Sequence, residues 1–196
     1  MNKSIIPHIP FYFVRHGQTD WNLKHMIQGH IDIPLNEMGL DQAKSAATLL
    51  TNQEITRIIS SPLIRAHKTA QIIQEILQVP LHTHEGLKER YLGKLEGTVK
   101  TESSLTSVNH NYTQTAEGSE CIDDFKKRIA EALHEILHAD HVTLIVAHGG
   151  VYWALMHMLG FDDQASSNAV PHFFSPTKND DKQWLVCPIH ERKIDY

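Results

Sequence analysis

The chain has 196 residues and 22.3 kDa, enough to bury roughly 70% of its unfolded surface, so residues 1–196 are expected to form one domain. Hydrophobic residues at 41%, charged residues at 21%, ten glycines and eight prolines exclude a disordered or collagen-like chain. Eighteen Lys and Arg against 23 Asp and Glu give -5, which disfavours a nucleic-acid binder or a binder of anionic membranes, although protonating all fifteen histidines would carry the charge to +10.

No apolar run approaches the ~20 residues that cross a bilayer, and the opening MNKSIIPHIPFYFVRH, broken by prolines, does not read as a signal peptide. Cys121 and Cys187 match no metal or redox spacing, so they are expected as small packed side chains of a reduced, cytoplasmic protein.

In chain order, the aromatic run Phe11 to Val14 reads as a buried strand. Asn36 can cap a helix over residues 37–51, and the isoleucine-rich stretch from Ile55 to Ile59 reads as a second strand. Pro62 is placed at the first turn of a helix running through LIRAHKTAQIIQEIL. His82 and His84 share one face of a strand and are given no role. Residues 98–119, rich in Thr, Ser and Asn, read as a loop. Between Glu120 and His138, Ile122, Phe125, Ile129, Ala132, Leu133 and Ile136 recur at helical spacing and define a core face. Val142 to Ala147 is a third buried strand, Gly149 to Leu159 a helix apolar nearly all round, and Trp184 to Ile189 a late strand. The expected fold is α/β, a three-layer helix/sheet/helix sandwich with a mostly parallel central sheet.

The residues at the carboxyl ends of these strands suggest the chemistry. FYFV leads into Arg15 and His16, ITRIISSPLI into Arg65, and TLIVA into His148, Gly149 and Gly150. Open α/β sheets bind ligands at the carboxyl ends of their strands, so these side chains are candidates to gather on one rim. Arginine forks match phosphate or carboxylate oxygens, and helix N-termini after Pro62 and at Gly149 would aim amides the same way. Each arginine alone reads first as a surface ion pair, but together they predict an anion site, with phosphate as the anion.

RHGQTDWN at 15–22, QGHIDIPLNEMGLDQA at 28–43, SSPLIRAHKTA at 60–70, LKERYLGKLEG at 87–97, EGSECIDDFKKR at 117–128 and VAHGGV at 146–151 resemble the histidine phosphatase superfamily, which includes the cofactor-dependent phosphoglycerate mutases. The resemblance runs from about Phe11 to Gly160 in the family order, with a weaker echo at Asn168 and Ala169. It implies a phosphoglycerate mutase-like fold and a phosphoryl transfer in which His16 is the nucleophile and becomes a phosphohistidine. Arg15, Arg65 and His148 would clamp the phosphoryl oxygens without a metal, and Glu89 would protonate the leaving oxygen. Asn22, Gln28, Gly29 and Gly149 match positions around the substrate. Without the resemblance, Asn22, Gln28 and Gly29 read as turn residues, and Glu89, between Lys88 and Arg90, as a surface ion pair. Glu96 reads as structural.

Several departures bear on the substrate. An arginine common two residues before the Gln-Gly pair is Met26 here, beside His25, and two common tryptophans are replaced by His30 and Leu95. Glu89, Arg90, Tyr91 and Lys100 resemble the mutases, whereas residues 98–119 lack the paired arginines of the mutase insertion. The expectation is therefore a phosphatase acting on small phosphorylated metabolites with no cofactor. The alternative is a mutase, which would need bisphosphoglycerate as primer, and a third reading is a non-catalytic binder of phosphorylated ligands. His134, His138 and His141 have a spacing that can hold zinc, but their helix face points to solvent and no metal is expected there. The sequence leaves oligomeric state open.

Overall fold

The computed structural model describes residues 5–100, 117–161, 166–177 and 183–189. A six-stranded sheet runs through it in the order β3-β2-β4-β1-β5-β6. Four strands are mutually parallel: β1 (Phe11–Arg15), β2 (Arg57–Ser60), β3 (Leu81–Thr83) and β4 (Thr143–Ala147). β5 (Pro171–Pro176) pairs antiparallel with β1, and β6 (Trp184–Pro188) antiparallel with β5. The mostly parallel sheet read from the sequence is thus present, with an antiparallel pair added at one edge.

Alternation along the strands builds two cores. Phe11, Phe13, Ile145 and Ala147 face one side and pack with Phe125, Ile129 and Leu133 of α4 (Ile122–Ile136) and Val151 to Met156 of α5 (Gly149–Met158). Tyr12, Val14, Leu144 and Val146 face the other and pack with Ala46, Ala47 and Leu50 of α2 (Glu37–Leu50) and Ala70 and Ile73 of α3 (Ile64–Leu77). Apolar side chains on both faces are what a parallel sheet covered by helices requires. A four-residue helix, α1 (Asp20–Leu23), follows β1 and is closed by a capping box between Thr19 and Asn22.

Some sequence expectations are corrected. Ile55 lies in a turn, its amide donating to the Gln53 carbonyl, so β2 starts at Arg57. α3 starts at Ile64 with Leu63 as N-cap, which leaves Pro62 outside the first turn. Cys121 and Cys187 are exposed free thiols. Of the stretch read as a loop, residues 101–116 lie outside the described residues.

Candidate active site

Parallel pairing brings three strand ends to one rim. Arg15 is opposite Ala147 in the β1–β4 register, and the His16 amide extends that ladder by donating to the Ala147 carbonyl at 3.0 Å. The Ser61 amide, just past β2, donates to the Val146 carbonyl. His16, Ser61 and His148 therefore lie side by side, and the His16 and His148 rings are 5.3 Å apart. Arg65 enters from the first turn of α3 and is 1% exposed.

His16 is buried, and its Nδ1 lies 2.7 Å from the Gly17 carbonyl oxygen. A carbonyl only accepts, so Nδ1 carries the ring proton and Nε2 keeps its lone pair. Burial, then the charges of Arg65 and Arg15, hold His16 well below the usual histidine value of 6.5, against the Gly17 bond. The imidazole is neutral at ordinary pH. Asn168 fixes the same residue from behind, its amide donating to the His16 carbonyl at 2.8 Å.

Both guanidiniums are anchored at their tips. Arg15 donates from Nη1 to the Ser166 carbonyl, and Arg65 from Nη1 and Nη2 to the carbonyls of Ile31 and Gly29 at 3.0 and 2.7 Å. Burial pushes Arg65 down to about 10, opposed by Glu89 and Asp32, and lowers Arg15 as well. Arg15 Nε, Arg65 Nε and His148 Nδ1, by contrast, are buried and have no hydrogen-bond partner among the described residues. Buried polar nitrogens are almost always satisfied, so unpartnered ones on three residues that adjoin or electrostatically act on His16 point to an anion-binding place beside that imidazole.

The charged sequence neighbours of Glu89 are engaged elsewhere: Lys88 pairs with Glu85, and the buried Arg90 donates from Nε to the Glu120 carbonyl. The two carboxylate oxygens of Glu89 accept backbone amides instead, Arg90 at 2.9 Å and Gly150 at 3.1 Å. This ties the carboxyl to the first turn of α5, next to His148. Each oxygen retains a lone pair for a proton. A Cβ on Gly150 would stand 2.1 Å from Glu89 Oε1, so the second glycine of the HGG run is the space the carboxyl occupies. Gly149 lies against the Arg15 guanidinium, 3.4 Å from the place of its own missing Cβ.

The remaining expected residues make contacts of their own. Gln28 donates to Thr19 Oγ1 at 2.9 Å and leaves Oε1 buried without a partner among the described residues. The Asn22 side chain accepts from the Thr19 amide and hydroxyl, so its side-chain oxygen serves the cap of α1. Gly29 has φ +48°, and its missing Cβ leaves room for Glu96, which accepts the amides of His30 and Leu92 at 2.9 Å. Glu96 is thus a structural clasp. His30 bonds through Nε2 to the Glu89 carbonyl and lies 5.2 Å from the Tyr91 ring. His138 binds the Glu135 carbonyl and His141 faces Asp140, so these two histidines are engaged locally. Two contacts were not anticipated from sequence: Ser61 on His148 and Gly150 on Glu89. Their only sequence signals are their places beside a strand end and in the HGG turn.

A neutral, oriented imidazole beside two buried arginines, with a carboxyl alongside on an α/β rim, is an arrangement suited to phosphoryl transfer. The chain matches the histidine phosphatase superfamily (branch 1) over residues 11–172, and it belongs to that family. It is 37% identical over 154 residues to phosphoglycerate mutase-like protein 4 of Arabidopsis thaliana, covering 72% of this chain and 67% of the relative. It is 32% identical over 177 residues to the phosphatase PhoE of Bacillus subtilis, which is described as uncharacterized, covering 88% and 90%. The solved structure of a mycobacterial glucosyl-3-phosphoglycerate phosphatase in complex with VO3 superposes with a TM-score of 0.74 at 26% identity, covering 91% of this chain and 97% of that one.

Proposed function

We propose that the chain, as one domain, hydrolyses small phosphomonoesters by two successive displacements at phosphorus. The observation that carries this reading is that Arg15, Arg65 and His148, which adjoin or electrostatically act on His16, each keep a buried nitrogen without a partner among the described residues, while the Nδ1 bond to Gly17 leaves His16 Nε2 free to attack. In the first step Nε2 attacks phosphorus, the P–O ester bond breaks, and the leaving oxygen takes a proton from Glu89. In the second, water attacks the phosphohistidine, the P–N bond breaks, and Glu89 takes the water proton, restoring both groups and releasing phosphate. Phosphoryl transfer needs an in-line nucleophile and positive charge on the equatorial oxygens, which the two guanidiniums supply. No metal or cofactor enters these steps. The two exposed free thiols support a reducing, cytoplasmic setting, and among the described residues no helix is long and apolar enough to cross a membrane.

A mutase reading has one specific observation in its favour. Lys100 is exposed overall; desolvation, then Arg15, lower its ammonium against Glu89, so it is a cation within electrostatic reach of the site residues that a second anionic group would meet. Phosphate release from sugar phosphates, phosphoglycerates, nucleotides and phosphopeptides, measured beside 3-phosphoglycerate isomerisation primed with bisphosphoglycerate, separates the two. Hydrolysis is expected to exceed isomerisation and to persist in EDTA. Fast isomerisation with little phosphate release would establish the mutase, and activity lost to EDTA and regained with a divalent metal would overturn the metal-free mechanism.

Gly150→Ala tests the seating of Glu89. Gly150 is in the first turn of α5, where alanine is the better helix former, so the backbone tolerates the change. The new methyl must displace the carboxyl, and a displacement near 1 Å costs about 10²-fold in rate. The expected result is such a fall in kcat/KM on alkyl phosphates with little change in Tm. Unchanged activity would mean that the Glu89 position is not used.

A further inference from the structure

Deepening the proposed phosphatase reading, we infer that Ser61 is a positioning residue that sets the tautomer of His148, making its Nδ1 a hydrogen-bond donor to the phosphoryl group.

Ser61 is completely buried at the end of β2, one residue before Pro62. Its Oγ lies 2.7 Å from His148 Nε2 and accepts the Leu63 amide at 3.3 Å. His148 is itself 0% exposed, its ring lies 5.3 Å from that of His16, and its other nitrogen, Nδ1, is buried without a partner among the described residues. Burial, then Arg65, His16, Arg15 and His30, hold this imidazole well below 6.5, so it is neutral and carries a single ring proton. The position of that proton decides what Nδ1 can do. On Nδ1 it makes a donor to a phosphoryl oxygen; on Nε2 it leaves a lone pair pointed at a dianion.

The hydrogen-bond inventory selects the first arrangement. The Leu63 amide already donates to Ser61 Oγ. If Nε2–H donated there too, the serine hydrogen would be left without an acceptor among the described residues in a fully buried place, and Nδ1 would repel the substrate. If Ser61 donates to Nε2, every group is satisfied: Leu63 N–H to Oγ, Oγ–H to Nε2, and Nδ1–H to the phosphoryl oxygen. Leu63 is also the N-cap of α3, the helix that carries Arg65, so one turn of chain sets both clamp residues.

The test has a readout independent of turnover. Long-range ¹H–¹⁵N correlation of the wild-type protein labelled with ¹⁵N-histidine, with the His148 signals assigned by their loss in His148→Asn, is expected to show Nδ1 protonated and Nε2 bare at pH 8. A neutral His148 carrying its proton on Nε2 would overturn the inference, whether or not any variant folds. In kinetics, Ser61→Ala is expected to lower kcat/KM for p-nitrophenyl phosphate by about 10- to 100-fold and to weaken orthovanadate inhibition similarly. Asparagine at 148 offers an amide in the place of Nδ1–H and has no Nε2 to orient. Ser61→Ala should therefore cost less than about 3-fold in the His148→Asn background. An equal cost in both backgrounds would show that Ser61 acts through packing. Absence of hydrolysis in the wild type would refute the phosphatase reading while the tautomer measurement still judges Ser61.

Discussion

His16→Ala is expected to lower kcat/KM for phosphomonoester hydrolysis by at least about 10⁴-fold, to the limit of detection. The size reflects what the residue alone provides. Its Nδ1 bond to the Gly17 carbonyl leaves Nε2 bare, burial and then the adjacent guanidiniums keep the ring neutral, and in the proposed mechanism those guanidiniums hold the group it attacks. His148 is not expected to substitute, because its Nε2 is engaged by Ser61 and the inferred tautomer puts the ring proton on its Nδ1. The variant retains the anion seat, so orthovanadate should still raise its Tm, which separates lost chemistry from lost folding. Activity within about 10-fold of wild type would show that water is activated directly and that His16 is not the nucleophile.

Glu89→Gln is the second large effect, and it depends on the leaving group. A general acid matters in proportion to the instability of the oxyanion expelled, so alkyl phosphates should lose about 10² to 10⁴ in the phosphorylation step. p-Nitrophenyl phosphate, whose leaving group needs little protonation, should lose much less. The substitution also has a geometric cost. Both carboxylate oxygens accept backbone amides, from Arg90 and Gly150, and the glutamine NH₂ must face one of them. That misfit slows both substrates alike, so the ratio between them isolates the proton. Single-turnover measurement is needed, because in the proposed mechanism the carboxylate also acts as base in the second half-reaction. Equal loss on both substrates, or loss on neither, would remove Glu89 from the acid role.

The sheet's central strands were legible because both their faces are buried, which leaves uninterrupted apolar runs such as Phe11 to Val14 and Thr143 to Ala147. α4 was legible from its periodic apolar face. β5 was not read, since its six residues begin and end in proline and it owes its place to pairing with β1 and β6 rather than to its own pattern. The start of α3 was missed for a long-range reason. The Ile64 amide is accepted by Asp32 Oδ1 at 2.6 Å, a cap supplied from a distant loop, so the local Pro62 signal misplaced the boundary. In the site, Arg15, His16 and His148 were legible as neighbours from their places at the ends of β1 and β4. Pairwise fits stayed hidden: Arg90 sits in a polar stretch yet is 1% exposed, and the contacts of Ser61 with His148 and Gly150 with Glu89 join residues 87 and 61 positions apart.

The most direct test of the account is to trap the phosphorylated enzyme. Wild-type protein mixed with a ³²P-labelled phosphomonoester and quenched in alkali within one turnover should carry a base-stable, acid-labile label. Peptide mapping should place it on His16, and the phosphohistidine should be the Nε2 isomer, because Nδ1 is held by Gly17. Label on another residue, label on Nδ1, or rapid hydrolysis with no label at any quench time would contradict the double displacement through His16.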